Sequence, residues 1–169
     1  GESSGPVQYY APLILFDVAG KLKHPGGGLG SIGGDTGVGD HAYSGIFIHE
    51  QGHAMGLPHQ GGAYTDGKYP YLAGSLNGSV WGYDSTRKEF LAPFVPATAS
   101  RYRNCAGDTF DSTPRQLDAQ GRCIKQDPMQ SGSGDEARGY RFATFSDYSV
   151  AIMQRHLEGT TSTDKNGAR

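Results

Sequence analysis

No run of apolar residues in this sequence approaches the roughly 18 residues that a helix needs to cross a bilayer. The longest run, residues 11–18 (APLILFDV), contains an aspartate. A basic excess is also missing, because 15 Lys and Arg stand against 17 Asp and Glu, a formal net charge of -2. Nucleic-acid-binding domains usually carry a basic patch or stripe. We therefore expect neither membrane insertion nor a nucleic-acid partner.

Large apolar side chains are scarce as well. Leu, Ile, Val and Phe together account for 29 of the 169 residues, while 27 residues are glycine and add no core. The length is that of a single domain. We therefore predict one domain over residues 1–159 with a modest core, long ordered loops and help from a disulfide or a metal. Residues 160–169 are polar and are predicted to be a disordered tail.

Only two cysteines are present, Cys105 and Cys123, and they form no CxxC pattern. A disulfide between them would contribute about 3 kcal/mol in the chain-entropy model. Such a bond requires an oxidising compartment, whereas two unpaired thiols are the alternative. The chain opens with Gly1, Glu2 and two serines and shows no signal peptide, which suits a mature secreted chain and a cytosolic one equally.

Local patterns predict one strand, two loop-like stretches and a terminal helix. Leu13–Val18 reads as a strand between a proline and a glycine. The glycine-rich residues 24–42 predict a loop or an irregular edge strand, since each internal glycine costs a helix about 1 kcal/mol. Residues 60–139 are polar and rich in turns, and loops of that length are often functional. A helix is predicted over Ser146–Leu157, capped by Ser146 and ended by Gly159. Its apolar stripe consists of Val150, Met153 and Leu157.

A further helix is predicted from about Tyr43 to Met55, with Ser44 as its N-cap and Gly56 as its stop. It carries the pattern H-E-x-x-H-x-x-G-x-x-H over residues 49–59. His49 and His53 are four positions apart, so both can grip one metal ion from the same helix face. Gly56 lets the chain turn back sharply and bring His59 in as a third ligand.

Three histidine ligands leave the fourth position of a tetrahedral zinc ion for water, which is the catalytic arrangement. Glu50 lies beside the first ligand but points about 100° away around the helix. We expect it to act as the general base that takes a proton from the zinc-bound water and later delivers it to the leaving amine. The other histidines, His24, His41 and His156, look isolated and are predicted to be solvated or structural.

The extended histidine pattern resembles the metzincin signature, which implies a methionine turn beneath the metal. Met129 in the segment DPMQ is the candidate, and a terminal helix follows it, as in metzincins. Met153 is the competing residue, but it lies in the middle of that helix. The chain also resembles the StcE/TagA-like family of bacterial secreted zinc metalloproteases. Four segments and the cysteine pair carry that resemblance: WGYD at 81–84, RKEFLAPF at 87–94, DPMQSG at 127–132 and FATFSDYSVAIMQRHLEG at 142–159.

The resemblance implies an α+β, metzincin-like zinc protease domain with an active-site helix, a loop-rich C-terminal part, a methionine turn and a C-terminal helix. It carries over His49, His53 and His59 as zinc ligands, Glu50 as general base and Met129 as the turn methionine. Only 48 residues precede His49, so the upstream sheet is expected to be small: a fragment, a clipped product or a reduced domain. Gln60 stands where several metzincin families carry Asp, Glu, Ser or Pro.

Substrate contacts are harder to read. Five aromatic residues follow the ligands, and they are Tyr64, Tyr69, Tyr71, Trp81 and Tyr83. Aromatic rings with polar tips suit stacking on sugars or peptides, although packing over a thin core explains them equally well. Tyr64, Trp81 and Tyr83 are the candidate substrate-binding residues, and Tyr64 or Tyr83 could supply an oxyanion donor. The likeness to mucin-cutting proteases implies O-glycosylated protein substrates.

The sequence thus predicts a secreted zinc endopeptidase that acts on proteins or glycoproteins. Two alternatives stay open. One is a non-catalytic module with a structural zinc that binds glycans or proteins, and the intact Glu50 argues against it. The other is a zinc amidase that cuts a non-protein amide.

Overall fold

The computed structural model describes residues 8–80, 82–86, 88–95, 109–110, 113–114, 117–130 and 144–159. Its helices are α1 (Ser44–Ala54), α2 (Gln60–Thr65) and α3 (Asp147–Glu158), with a 3-10 turn at Leu72–Gly74. Its strands are β1 (Tyr9–Leu13), β2 (Leu15–Phe16), β3 (Leu22–Lys23), β4 (Gly28–Gly30), β5 (Thr36–Asp40), β6 (Gly82–Asp84), β7 (Glu89–Leu91), β8 (Phe94–Val95), β9 (Thr109–Phe110), β10 (Thr113–Pro114) and β11 (Cys123–Ile124). The architecture is mixed α+β, as predicted.

The main sheet has three strands in the order β1-β5-β4. β1 runs parallel to β5, whereas β4 is antiparallel to it and forms one edge. The remaining strands make two-stranded ladders, which are β2–β3, β6–β7, β8–β11 and β9–β10. Among the described helices, none is long and apolar enough to cross a membrane.

Helix α1 packs directly on β4 and β5 because these strands carry glycines where it approaches. A Cβ atom at Gly28 would lie 2.6 Å from Oε1 of Glu50, and one at Gly30 would lie 2.7 Å from Oε2. A Cβ at Gly39 would collide with Ile46. The glycine-rich stretch predicted as a loop or an edge strand therefore supplies both the edge strand β4 and the central strand β5. Its composition reflects the close approach of a helix to the sheet.

Several boundaries differ from the prediction. The strand expected over Leu13–Val18 is not continuous: β1 ends at Leu13, and β2, which covers only Leu15–Phe16, pairs with β3. Ser44 is the first residue of α1, and Tyr43 occupies the N-cap without a side-chain hydrogen bond. The cap predicted for α3 is confirmed, since the hydroxyl of Ser146 accepts a 3.0 Å hydrogen bond from the backbone N–H of Ser149. Gly159 ends α3 at a φ of 71°.

The apolar stripe predicted for α3 is not its buried face. Val150 and Leu157 are 47% and 54% exposed, whereas Ser149 is fully buried. This helix is anchored by hydrogen bonds of small polar side chains, which apolar periodicity does not reveal. The buried apolar residues of the described core are Ile46, Ala54, Leu57, Ala63, Tyr69, Leu76, Cys123, Ile124 and Met129.

Three predictions concern residues outside the described ranges. The disulfide between Cys105 and Cys123 stays a prediction because only Cys123, which is fully buried, is described. Trp81 and the tail at 160–169 also lie outside those ranges.

Candidate metal centre

The three predicted ligands lie together in the structure. His49, His53 and His59 each offer a nitrogen, and these atoms all lie within 4.8 Å of one another. The ring centroids are 4.6 to 5.0 Å apart. The Nε2 atoms of His49 and His59 are separated by 3.1 Å, close to the ~3.3 Å between two ligand atoms of a tetrahedral zinc ion with bonds near 2.0 Å.

The ligands converge because α1 ends where it does. His49 and His53 lie one turn apart on α1, and His59 is the N-cap residue of α2. Gly56 has a φ of 90°, a left-handed conformation that residues with a Cβ adopt only with strain. Its N–H donates to the carbonyl of His53 at 2.9 Å. The helix therefore stops at Gly56, and the chain turns back toward the first two ligands.

Hydrogen bonds set the tautomers of the first two ligands. Nδ1 of His49 lies 2.8 Å from the carbonyl oxygen of Pro128, and Nδ1 of His53 lies 2.7 Å from that of Leu57. A carbonyl oxygen only accepts, so each Nδ1 must carry the proton and donate it. Nε2 of each ring is left with a lone pair, which is what a metal ligand needs.

Burial keeps these two rings neutral. Burial, with a smaller contribution from the neighbouring imidazoles, lowers the pKa of His49 to about 4, although the hydrogen bond to the carbonyl of Pro128 acts in the opposite direction. Burial likewise lowers the pKa of His53, with His59 contributing. Metal ions bind the neutral imidazole. Three nitrogen donors of this kind fit an ion of the zinc class rather than calcium or magnesium, which prefer oxygen ligands.

Glu50 lies against the edge strand. Its carboxylate faces the backbone at Gly28 and Gly30, and only 4% of the residue is exposed. This burial raises the pKa of Glu50 to about 6. A carboxylate with a pKa in that range can accept a proton and return it near neutral pH.

Met129 packs against α1 at Gly52, between the first two ligands. It is fully buried, and its Sδ lies where a Cβ on Gly52 would be. Gly52 stands in α1 between His49 and His53, so the absence of a side chain there admits Met129 under the helix. Sequence reasoning treated Gly52 as an unspecified position of the motif, although a glycine inside a helix is itself a signal of close packing.

Asp127 holds the turn that contains Met129. Its Oδ1 accepts a 2.8 Å hydrogen bond from the backbone N–H of Met129. Its Oδ2 accepts from the N–H of Ser146 at 2.9 Å and from the hydroxyl of Ser149 at 2.8 Å. Sequence analysis missed this role, although an aspartate that bonds the N–H two residues later is a common turn signal. The carbonyl of Pro128, which orients His49, belongs to the same turn.

The aromatic residues divide into two groups. Tyr69 is buried and donates to the carbonyl of Ser75 at 2.9 Å, and the hydroxyl of Tyr71 donates to Asp147. Both tyrosines therefore stabilise the core. Tyr64 is half-buried in α2, and Tyr83 is exposed against Phe90. A substrate role for Tyr64, Trp81 and Tyr83 stays a prediction.

Known proteins resemble this chain strongly. Dictomallein of Burkholderia mallei (strain SAVP1) is 56% identical over 162 residues, which cover 95% of this chain and 23% of that protein. Dictomallein of Burkholderia pseudomallei (strain K96243) matches with the same identity and coverage. Dictomallein-3 of Dictyostelium discoideum is 49% identical over 165 residues, 98% of this chain and 26% of that protein. The chain thus spans about a quarter of the length of these relatives. No solved structure matches it.

A family model described as peptidase M66 matches residues 1–161. The match agrees with the predicted peptidase activity and with a cluster of three histidines that can hold a metal ion. The chain therefore belongs to the peptidase M66 family of metallopeptidases.

Proposed function

We propose that this chain is the catalytic part of a zinc-dependent endopeptidase in which Glu50 is the general base. One observation carries the proposal: three imidazoles converge on one site, and the buried Glu50 lies between the first two of these histidines on α1. Membership of a peptidase family supports hydrolysis of peptide bonds.

Each residue of the site has its own role in the proposed mechanism. His49, His53 and His59 would hold the ion, which when bound polarises the scissile carbonyl and acidifies a water. Glu50 takes the proton from the attacking water and passes it to the leaving amine, so no covalent intermediate forms. Burial of Glu50 serves both transfers, because a pKa of about 6 lets the same group accept and donate near neutral pH. Met129 takes no part in proton transfer and supports the ligands from below.

The position of the edge strand β4 favours a polypeptide as the substrate. Among the described strands, β4 pairs on one side only, and Gly28 and Gly30 place its backbone directly beside the carboxylate of Glu50. An extended peptide can pair with such an edge through main-chain hydrogen bonds. This geometry favours a protein substrate over a small amide.

The resemblance to the StcE/TagA-like family supports three more specific proposals. The domain has a metzincin arrangement with Met129 in the methionine turn, the protein is secreted, and its preferred substrates are O-glycosylated, mucin-like proteins. Tyr64, Trp81 and Tyr83 are the residues proposed to contact the substrate. Labelling of free thiols in the untreated chain tests the disulfide of Cys105 and Cys123 that an extracellular location favours.

The Glu50→Gln variant tests the mechanism. We expect it to bind zinc like the unmodified chain and to lose peptide cleavage by about 10² to 10⁴-fold, the usual contribution of a general base. Glu158→Gln is the matched control, since Glu158 is exposed at the end of α3 and should keep full activity. Unchanged cleavage by Glu50→Gln would remove Glu50 from the mechanism.

Substrate comparison tests the class of reaction. The zinc-loaded chain is offered casein, a mucin and the same mucin after enzymatic deglycosylation, and cleavage sites are mapped by mass spectrometry. Preference for the glycosylated mucin supports the proposed specificity for O-glycosylated proteins. Cleavage of none of these would favour a binding module with a structural zinc, and cleavage of a peptidoglycan amide alone would favour an amidase.

A further inference from the structure

A second cluster of ligand-type side chains lies outside the three-histidine centre. His24, Asp40 and His41 each offer one ligand atom, and these atoms lie within 4.8 Å of one another. His24 and His41 look isolated in the sequence, but β5 and the segment after β3 bring them to the same carboxylate. No residue is shared with the first centre.

Asp40 is fixed in place by the backbone. Its side chain is 1% exposed. Oδ2 accepts a 3.1 Å hydrogen bond from the N–H of Gly26, and Oδ1 accepts a 3.0 Å bond from the N–H of Ala42. A buried carboxylate oriented by two main-chain donors is preorganised, so binding an ion to it would require little rearrangement.

The two imidazoles meet this carboxylate at the spacing of metal ligands. Nδ1 of His24 lies 3.2 Å from Oδ1 of Asp40, within hydrogen-bond distance, and Nδ1 of His41 lies 3.7 Å from the same oxygen. Nδ1 of His41 also lies 3.2 Å from the carbonyl oxygen of Leu13, so an ion bound through these two nitrogens would replace both hydrogen bonds. Adjacent ligands of a tetrahedral zinc ion are ~3.3 Å apart for bonds near 2.0 Å. The rings of His24 and His41 are 5.1 Å apart, close to the 4.6 to 5.0 Å within the three-histidine centre.

Access to the cluster is open. The side chains of His24 and His41 are 36% and 34% exposed, so an ion and a water ligand can reach them from solvent. Two imidazoles with one carboxylate suit zinc and similar divalent transition metals, whereas calcium requires six to eight oxygen ligands.

We propose that His24, Asp40 and His41 bind a second divalent metal ion of the zinc class. Its place in the fold indicates a structural role. Asp40 ends β5 shortly before α1 begins at Ser44, and His24 lies between β3 and β4. An ion here ties the start of the β4 segment to the base of the active-site helix, and so holds the edge strand against Glu50.

Metal stoichiometry tests the proposal. Bound metal is removed from the untagged chain with a chelator, zinc is added back, and unbound zinc is removed on a desalting column. The zinc content per chain is then measured by elemental mass spectrometry. We expect two zinc ions per chain in the unmodified protein and one in the double variant His24→Ala/His41→Ala. His156→Ala is the control and should retain two. A single ion in the unmodified chain, or two in the double variant, would overturn the proposal.

A second measurement isolates the new site from the first. His59→Ala removes an exposed ligand of the three-histidine centre, and circular dichroism verifies that the variant is folded. This variant should still bind one zinc ion, and zinc but not calcium should raise its unfolding temperature. Adding His24→Ala should abolish the rise. A rise that survives this addition would show that zinc acts elsewhere.

Discussion

The backbone N–H of Gln60 donates a 2.6 Å hydrogen bond to the carbonyl oxygen of Met129. Gln60 follows the third ligand His59, and Met129 lies under the first two ligands, so this bond joins the two halves of the metal centre. The side chain of Gln60 is buried as well, and its Nε2 donates to the hydroxyl of Ser149 at 3.1 Å. Gln60 thus links the ligand loop, the turn that contains Met129 and α3.

Removing this side chain should destabilise the protein. For Gln60→Ala we expect a loss of about 1–3 kcal/mol in the free energy of unfolding, because a buried hydrogen bond is lost and a cavity forms. Urea denaturation measures it. Gln154→Ala, on the exposed face of α3, should change the value by less than about 0.5 kcal/mol. Equal effects in the two variants would contradict the structural role of Gln60.

Two helical glycines should respond oppositely to alanine. Gly62 in α2 has open space around it, so Gly62→Ala should stabilise the protein by about 0.5–1 kcal/mol. Gly52→Ala should destabilise it by about 1–3 kcal/mol, since the new Cβ meets Sδ of Met129 in a buried site. Urea denaturation gives both values.

A double-variant cycle tests whether this cost comes from Met129. In the Met129→Ala background, Gly52→Ala should cost less than in the unmodified chain, because the colliding sulfur is gone. A coupling energy of about 0.5–3 kcal/mol is expected. Additive effects of the two substitutions would exclude the steric explanation.

Asp127 should control metal affinity without touching the metal. Asp127→Asn replaces one acceptor oxygen with a donor, disturbing the turn whose Pro128 carbonyl orients His49. Loss of a hydrogen-bond partner that orients a metal ligand typically lowers metal affinity 10–100-fold. We expect a decrease of this size in the zinc affinity of Asp127→Asn, measured by competition with a chromogenic zinc chelator. Asp66→Asn is the control, because Asp66 is exposed and pairs only at 3.5 Å with Lys68. A zinc affinity unchanged by Asp127→Asn would mean that His49 is oriented by its own packing.

Alkaline pH should weaken the fold through two tyrosines, the buried Tyr69 and the half-buried Tyr71. Burial, with help from Asp147, raises the pKa of Tyr71 to about 12, and burial also raises the pKa of Tyr69. The unfolded chain ionises them near pH 10, so it releases protons before the folded chain does. The stability that they contribute is complete below about pH 10 and is lost as the pH rises toward 12.

Urea unfolding at about pH 9 and pH 11 measures this loss. Tyr71→Phe should show a shallower fall between the two values, because one of the two groups no longer titrates. Asp147→Asn should act in the same direction, since it removes the negative charge that helps to raise the pKa of Tyr71. A fall that is as steep in both variants as in the unmodified chain would assign the alkaline loss to other groups.

Local spacing made the ligand set predictable. His49 and His53 meet because four residues complete about one helical turn, and Gly56 can end that helix in a conformation that other residues avoid. The cap of α3 at Ser146 and its stop at Gly159 follow from equally short-range rules. In contrast, the strands β4 and β5 were hidden in a stretch whose glycines weaken every local preference, and only the fit of α1 against them explains that composition.

What the sequence by itself determined is the chemistry of one eleven-residue segment: which atoms can bind a metal and where the helix that presents them ends. The tertiary structure alone decided what surrounds that segment. The carbonyl that orients His49 comes from 79 positions away, and His24 meets the carboxylate of Asp40 from 16 positions away. Contacts over such distances depend on how the whole chain packs, because spacing along the sequence constrains only neighbours within a few turns.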